Sequence, residues 1–146
     1  MEEIEIKGDI LAFFGQVESK KKAMVDSGAP VSNAGRDWIE KYLKDYKIIY
    51  EELNRVPCYQ IFKFGDSRFK SEELIDLPIL IKDVNNKEVP VIVPTYVLQA
   101  WSPFLIGKKT MKQWKGLVEF EEETLQILLH GNKSTFSLTG ESHLHR

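Results

Sequence analysis

Only one cysteine, Cys58, occurs in the 146 residues, so no internal disulfide can form. The acidic opening Met1-Glu2-Glu3-Ile4 lacks the basic start and apolar middle of a secretory signal. Together these features predict a reducing, cytoplasmic setting. Strong charge of either sign is also missing: 20 Lys and Arg stand against 22 Asp and Glu, a formal net charge of -2. No broad basic field draws such a chain to nucleic acid or to a membrane surface. Nor does any apolar run approach the roughly 20 residues that a membrane-spanning helix requires. Internal repeats and low-complexity stretches are absent, which removes solenoids and long linkers.

What is present suits one globular domain, residues 1–146 with a core of about 9–144. With 42% hydrophobic residues the chain can bury one core and is small for two. Gly8 to Val17 mixes apolar and aromatic residues between glycines and reads as a strand; Glu18 to Lys22 reads as a polar turn. Ala23-Met24-Val25 is a short apolar run that stops at Asp26-Ser27-Gly28-Ala29-Pro30, as a buried strand entering a tight loop would. Trp38, Ile39, Tyr42, Leu43, Tyr46, Ile49, Tyr50 and Leu53 recur every three or four residues. That spacing predicts one helix or two short ones, capped by Ser32 or Asn33 and ended before Pro57.

From Tyr59 the period changes to two. Ile61, Phe62 and Phe64 precede Gly65-Asp66-Ser67, and Phe69 follows, which predicts a hairpin turning at Gly65-Asp66. A second hairpin is expected from Leu77–Ile81 and Val89–Val93 around Asn85-Asn86. Pro103 to Gly107 reads as a buried strand, and Lys108 to Trp114 as a short helix closed by Gly116. Two further strands are expected near Leu117–Phe120 and Thr124–Leu129.

Asp-Ser-Gly alone is an ordinary turn motif. Its setting is more informative, because an apolar strand enters it, Ala29 follows it, and a second signal, Leu105-Ile106-Gly107, precedes a helix far downstream. In this order the parts resemble the retropepsin family of aspartic proteases, where Asp-(Ser/Thr)-Gly-Ala is the catalytic loop and a hairpin forms the flap. Met24-Val25-Asp26-Ser27-Gly28-Ala29, Gly35-Arg36-Asp37-Trp38 with Tyr42, Phe62 to Asp66, and Phe104 to Gly107 are most similar to protease domains of retrotransposon polyproteins. The likeness spans about residues 9–144.

The resemblance implies a mainly β fold: a retropepsin-like closed β-barrel, or acid-protease half-fold, with one or two short helices, functional as a homodimer. It implies Asp26 as the catalytic carboxylate, with Ser27, Gly28 and Ala29 supporting the loop. Phe64, Gly65, Asp66 and Ser67 would form the substrate-binding flap, and Leu105, Ile106 and Gly107 would pack behind the loop. A carboxylate pair is needed so that one member is charged while the other is protonated, and this chain has one such loop. The second must come from an identical chain across a two-fold axis. No cofactor is called for; the partners are a second copy and a polypeptide substrate, in the cytoplasm or within a retroelement-derived particle.

Two features depart from the family. Pro30 and Lys108 stand where many retroviral relatives place an acidic residue and an arginine that pair. The end reads Gly140-Glu141-Ser142-His143-Leu144 where retrotransposon domains carry Ser-Gly-His and an apolar, dimer-forming strand.

Other candidates have plainer readings. His130, His143 and His145 lack partners at metal-ligand spacing. Cys58 has no neighbouring base and reads as a small buried or half-buried thiol. Lys20-Lys21-Lys22 reads as a solvated turn, and the stripe Trp38, Tyr42, Tyr46 and Tyr50 as core contact. Two alternatives to an endopeptidase stay open: a catalytically weak or inactive retropepsin-like interaction domain, and a monomeric peptide-binding domain.

Overall fold

A computed structural model describes residues 3–6, 12–16, 22–26 and 28–139. Among these, eleven strands and two α-helices follow one another along the chain. The strands are β1 (Glu3–Ile6), β2 (Ala12–Gln16), β3 (Lys22–Asp26), β4 (Asn33–Gly35), β5 (Arg55–Phe64), β6 (Ser67–Lys82), β7 (Glu88–Leu98), β8 (Phe104–Ile106), β9 (Leu117–Glu119), β10 (Thr124–Leu129) and β11 (Asn132–Thr139). Helix α1 is Arg36–Asp45 and α2 is Lys108–Gln113; a 3-10 turn covers Tyr50–Glu52. The strands join in the order β1-β5-β6-β7-β4-β8-β3-β2-β11-β10-β9, a sheet curled into a half-barrel.

The apolar run at Ala23-Met24-Val25 becomes β3 in the middle of this order, antiparallel to β2 and parallel to β8, with Val25 opposite Ile106. Of the expected strand from Gly8 to Val17, residues 12–16 form β2 and the remainder lies outside the described residues. The polar turn expected over Glu18 to Lys22 is shorter at its end, because Lys22 already pairs with Gln16 in β3; residues 18–21 lie outside the described residues.

The two hairpins foreseen separately share one long strand. β5 and β6 meet at Phe64 and Ser67 across Gly65-Asp66, and β6 runs on for 16 residues to pair with β7 as far as Lys82 opposite Glu88. At the first turn the positive φ falls on Gly65, at 59°, the residue a type II′ hairpin needs there. At the second, the Asp83 carboxylate accepts the backbone N–H groups of Asn85 and Lys87, each at 2.8 Å.

Prolines sit inside both strands without breaking them. Leu80 donates its N–H away from β7, to the Tyr42 hydroxyl at 3.1 Å. In an antiparallel pair, outward-facing positions recur at every second residue. The facing pairs Leu80–Pro90, Pro78–Ile92 and Asp76–Pro94 are therefore all outward-facing. Pro78, Pro90 and Pro94 occupy the positions where a missing N–H costs the ladder nothing.

The helical period over Trp38 to Leu53 resolves into α1 and the 3-10 turn. Ile39, Tyr42 and Leu43 are buried, each contributing roughly 1.5–3 kcal/mol by leaving water. The Trp38 ring stacks on Tyr42 at 5.3 Å and lies against Phe104 of β8 at 5.2 Å, so the aromatic stripe does join the helix to the sheet. Neither Ser32 nor Asn33 caps the helix. Gly35 holds the cap position with no side-chain bond, because the chain first runs as β4 between β7 and β8. Asn33 instead bonds the Val31 carbonyl, and Ser32 reaches α2.

At the end of α2, Gly116 donates to Met111 and Lys115 to Lys112, closing the helix in a Schellman pattern. The left-handed residue there is Lys115, at φ 51°, rather than Gly116. β9 and β10 lie where expected, and β11 follows through a turn at His130-Gly131, both at positive φ. The terminal segment Gly140 to Leu144, with His143 and His145, lies outside the described residues.

Candidate active site

β3 delivers its last residue, Asp26, to a loop flanked by the two central neighbours β2 and β8. Ser27 lies outside the described residues; Gly28 and Ala29 are buried, and Pro30 is exposed. The downstream signal lands beside this loop. Leu105 and Ile106 run parallel to Met24 and Val25, and Gly107 follows directly against residues 29–31. A Cβ on Gly107 would lie 2.4 Å from the Val31 carbonyl carbon, 2.6 Å from its oxygen and 2.8 Å from the Ala29 oxygen. Only glycine admits so close an approach of two backbones.

The start of α2 then fastens the loop. Lys108 and Lys109 donate backbone N–H groups to the carbonyls of Ala29 and Pro30, at 2.7 and 3.0 Å. Ser32, only 2% exposed, accepts the Gly107 N–H at 2.9 Å and shares a 2.6 Å hydrogen bond with the Thr110 hydroxyl. Backbone bonds at Pro30 and Lys108 thus tie together the two segments that an ion pair would join in many retroviral relatives.

The β5–β6 hairpin borders the same region through Phe62 and Phe64. Gly65, Asp66 and Ser67 are exposed, while Phe64 meets Phe69 edge to face at 5.6 Å. Phe62 and Phe64 of β5 belong to an apolar cluster with Ala29, Leu98 and Leu105. The loop after β3, the strand β8 and the β5–β6 hairpin therefore contribute to one cluster. Between the hairpin and the loop after β7 lies a cavity of about 200 Å³ lined by Phe64, Ser67, Phe69, Leu98, Trp101 and Ser102. Trp101 is 77% exposed at its rim. A second cavity, of about 460 Å³, is lined by Tyr42, Pro78, Leu80, Pro90, Ile92 and Trp114 among others; it includes none of the residues 26–29, 64–67 or 105–107.

Charged contacts lie to one side. Tyr50 donates to a Glu73 oxygen at 2.5 Å, and Arg55 holds the other oxygen at 3.1 Å. Burial, then the Glu73 carboxylate, pushes the Tyr50 phenol well above its ordinary value. Cys58 is half-buried in β5, its sulfur 3.7 Å from the Ser71 carbonyl oxygen. Among the described residues no three His, Cys, Asp or Glu side chains gather as a metal site, and no helix is long and apolar enough to cross a membrane.

Sequence reasoning did not find Ser32 and Thr110 as loop clamps, nor Trp101 and β1 beside the hairpin. Ser32 carried a signal that also fits a helix cap. Thr110 and Trp101 carried none.

The curled sheet, its β5–β6 hairpin and the strand–glycine–helix element behind the loop after β3 define a retropepsin-like fold. A solved structure supports this: the retroviral protease-like domain of Ddi1 from Leishmania major superimposes with a TM-score of 0.53 at 18% sequence identity, covering 94% of this chain and 100% of that one. No protein-family model and no curated protein matches the chain.

Proposed function

We propose that this chain is a single protease domain that pairs with a second copy to form an aspartic endopeptidase, its water activated by two Asp26 carboxylates. The observation that carries this reading is the location of Asp26 at the end of a central strand, with Ala29 and Pro30 just beyond it fastened to α2 and packed against Gly107, within a retropepsin-like fold. In the dimer the ionised Asp26 takes a proton from water while its protonated counterpart polarises the scissile carbonyl. The two titrate as a pair, so activity falls at alkaline pH as the shared proton is lost.

Gly28 lets the backbone approach the dyad, and Ser27 bonds across the dimer beneath it. The hairpin at Phe64, Gly65, Asp66 and Ser67 closes over an extended polypeptide and excludes water. The cavity beside Trp101 and Phe69 supports a preference for bulky apolar side chains. By its likeness to retrotransposon protease domains, the natural task is polyprotein processing.

The test combines sedimentation with cleavage of a mixed peptide library by wild type and Asp26→Asn. A dimer that cuts at apolar sites, and an Asp26→Asn dimer that folds but does not cut, are expected. Cleavage surviving in Asp26→Asn overturns the assignment.

A further inference from the structure

One edge of β5 is taken by β6; its other edge would close the whole sheet as an open row of backbone donors and acceptors. That edge is not open. β1 lies along it in parallel, with Glu3 opposite Ile61, Ile4 opposite Phe62, Glu5 opposite Lys63 and Ile6 opposite Phe64. The pairing stops one residue short of the turn at Gly65.

β1 is also held by side chains. Ile4 packs against the apolar cluster that contains Ala29, Phe62, Leu98 and Leu105. The Glu3 carboxylate accepts a hydrogen bond from the Arg68 guanidinium of β6. That bond, aided by the charges of Arg68 and Lys63, holds the Glu3 carboxyl below its ordinary value. An extended peptide added to a sheet edge binds in this way: main-chain bonds give affinity and side-chain pockets at particular positions give selectivity.

We propose that Glu3–Ile6 is a built-in occupant of the edge of β5 at Ile61–Phe64, the edge along which the hairpin of the proposed function would take an extended peptide, and that an incoming peptide must displace it. The occupant defines the chemistry the site accepts: an apolar residue directed to the Ala29–Phe62 cluster, next to an acidic residue facing Arg68 and Lys63. Four residues of parallel pairing, one partly buried side chain and one exposed ion pair make a weak strand, which stays docked largely because it belongs to the same chain. The site is thereby self-occupied and displaceable. That the incoming peptide is a substrate rests on the protease reading; the seating of Glu3–Ile6 on β5 does not.

Ile4→Asp in the full chain places a charge in the apolar cluster and should release β1. Amide hydrogens of residues 61–64 should then exchange faster, while those of β3 and β8 remain protected. KM for a peptide cut by the enzyme should fall about tenfold, the gain expected if β1 is docked nine-tenths of the time. For a peptide that is neutral at the position Glu3 occupies, Glu3→Arg and Arg68→Glu should each lower KM, and the double reversal should restore it. This pair is solvent-exposed and decides the matter should Ile4→Asp fail to fold.

A binding arm separates the two readings. In an Asp26→Asn background, a fluorescent peptide copying residues 1–8 should bind more tightly once Ile4→Asp is added. Tighter binding in a chain whose Asp26-intact form never cuts overturns the protease reading and leaves the site standing. Cleavage with KM, exchange and peptide affinity all unmoved by these variants overturns the site and leaves the protease standing.

Discussion

Replacing Gly107 by alanine tests how the candidate catalytic loop is supported. The added Cβ would fall 2.4, 2.6 and 2.8 Å from three atoms, all of them backbone of Val31 or Ala29. No flexible side chain can swing aside, so residues 29–31 or the start of α2 must move. Overpacking of this kind costs typically about 1–3 kcal/mol, and rigid neighbours put the expected loss near the top of that range. Any movement also strains the 2.7 Å bond from Lys108 to Ala29 and the 2.9 Å bond from Gly107 to Ser32. With a urea m-value of about 2 kcal/mol/M, a loss of about 3 kcal/mol lowers the midpoint by about 1.5 M at unchanged m. Gly65→Ala is the contrasting control. Nothing lies within 4 Å of its Cβ, but its φ of +59° carries a penalty of about 1–2 kcal/mol. Equilibrium urea unfolding of the two variants should therefore rank Gly107→Ala as the more damaging. A Gly107→Ala protein within about 0.5 kcal/mol of wild type would show that the two backbones are not in contact as described.

Other outcomes follow from the same contacts. Ser32→Ala leaves the buried Gly107 N–H without its acceptor and Thr110 without its hydroxyl partner, and should cost about 1–3 kcal/mol in denaturant unfolding. Tyr50 has its phenol pKa raised by burial and by Glu73, so the unfolded chain loses that proton first. The stability this group contributes is complete below about pH 10 and declines as pH rises beyond it. Tyr50→Phe should flatten that alkaline decline in pH-resolved unfolding; an unchanged slope contradicts the assignment. Asp26→Asn should leave the urea midpoint close to wild type while peptide cleavage is lost.

Much of the fold was legible because its signals are local. The two-residue turn at Gly65-Asp66, the Asn85-Asn86 turn, the three-and-four spacing from Trp38 and the Lys108-to-Trp114 helix all announce themselves within a few residues. What escaped depends on distant partners. β4 is three residues long, too short for any period, and exists because β7 and β8 leave a slot for it. β11 is mostly polar, with Phe136 and Leu138 alone marking its buried face. β1 reads as an acidic leader until the edge of β5 is seen beside it. At the candidate site, Asp26 to Ala29 and Leu105 to Gly107 were readable as a pair of motifs. The bonds that join them, from Ser32 and from the amides of α2, span more than seventy residues and leave no mark at either end.

The central claim is that two copies of Asp26, from two chains, make one active centre. Mixing wild type with Asp26→Asn at fixed total concentration, under conditions of free subunit exchange, tests it directly. If each active centre needs two intact carboxylates, activity follows the square of the wild-type fraction, falling to about one quarter in an equal mixture. Activity proportional to the wild-type fraction would mean that each chain works alone, and would contradict the account.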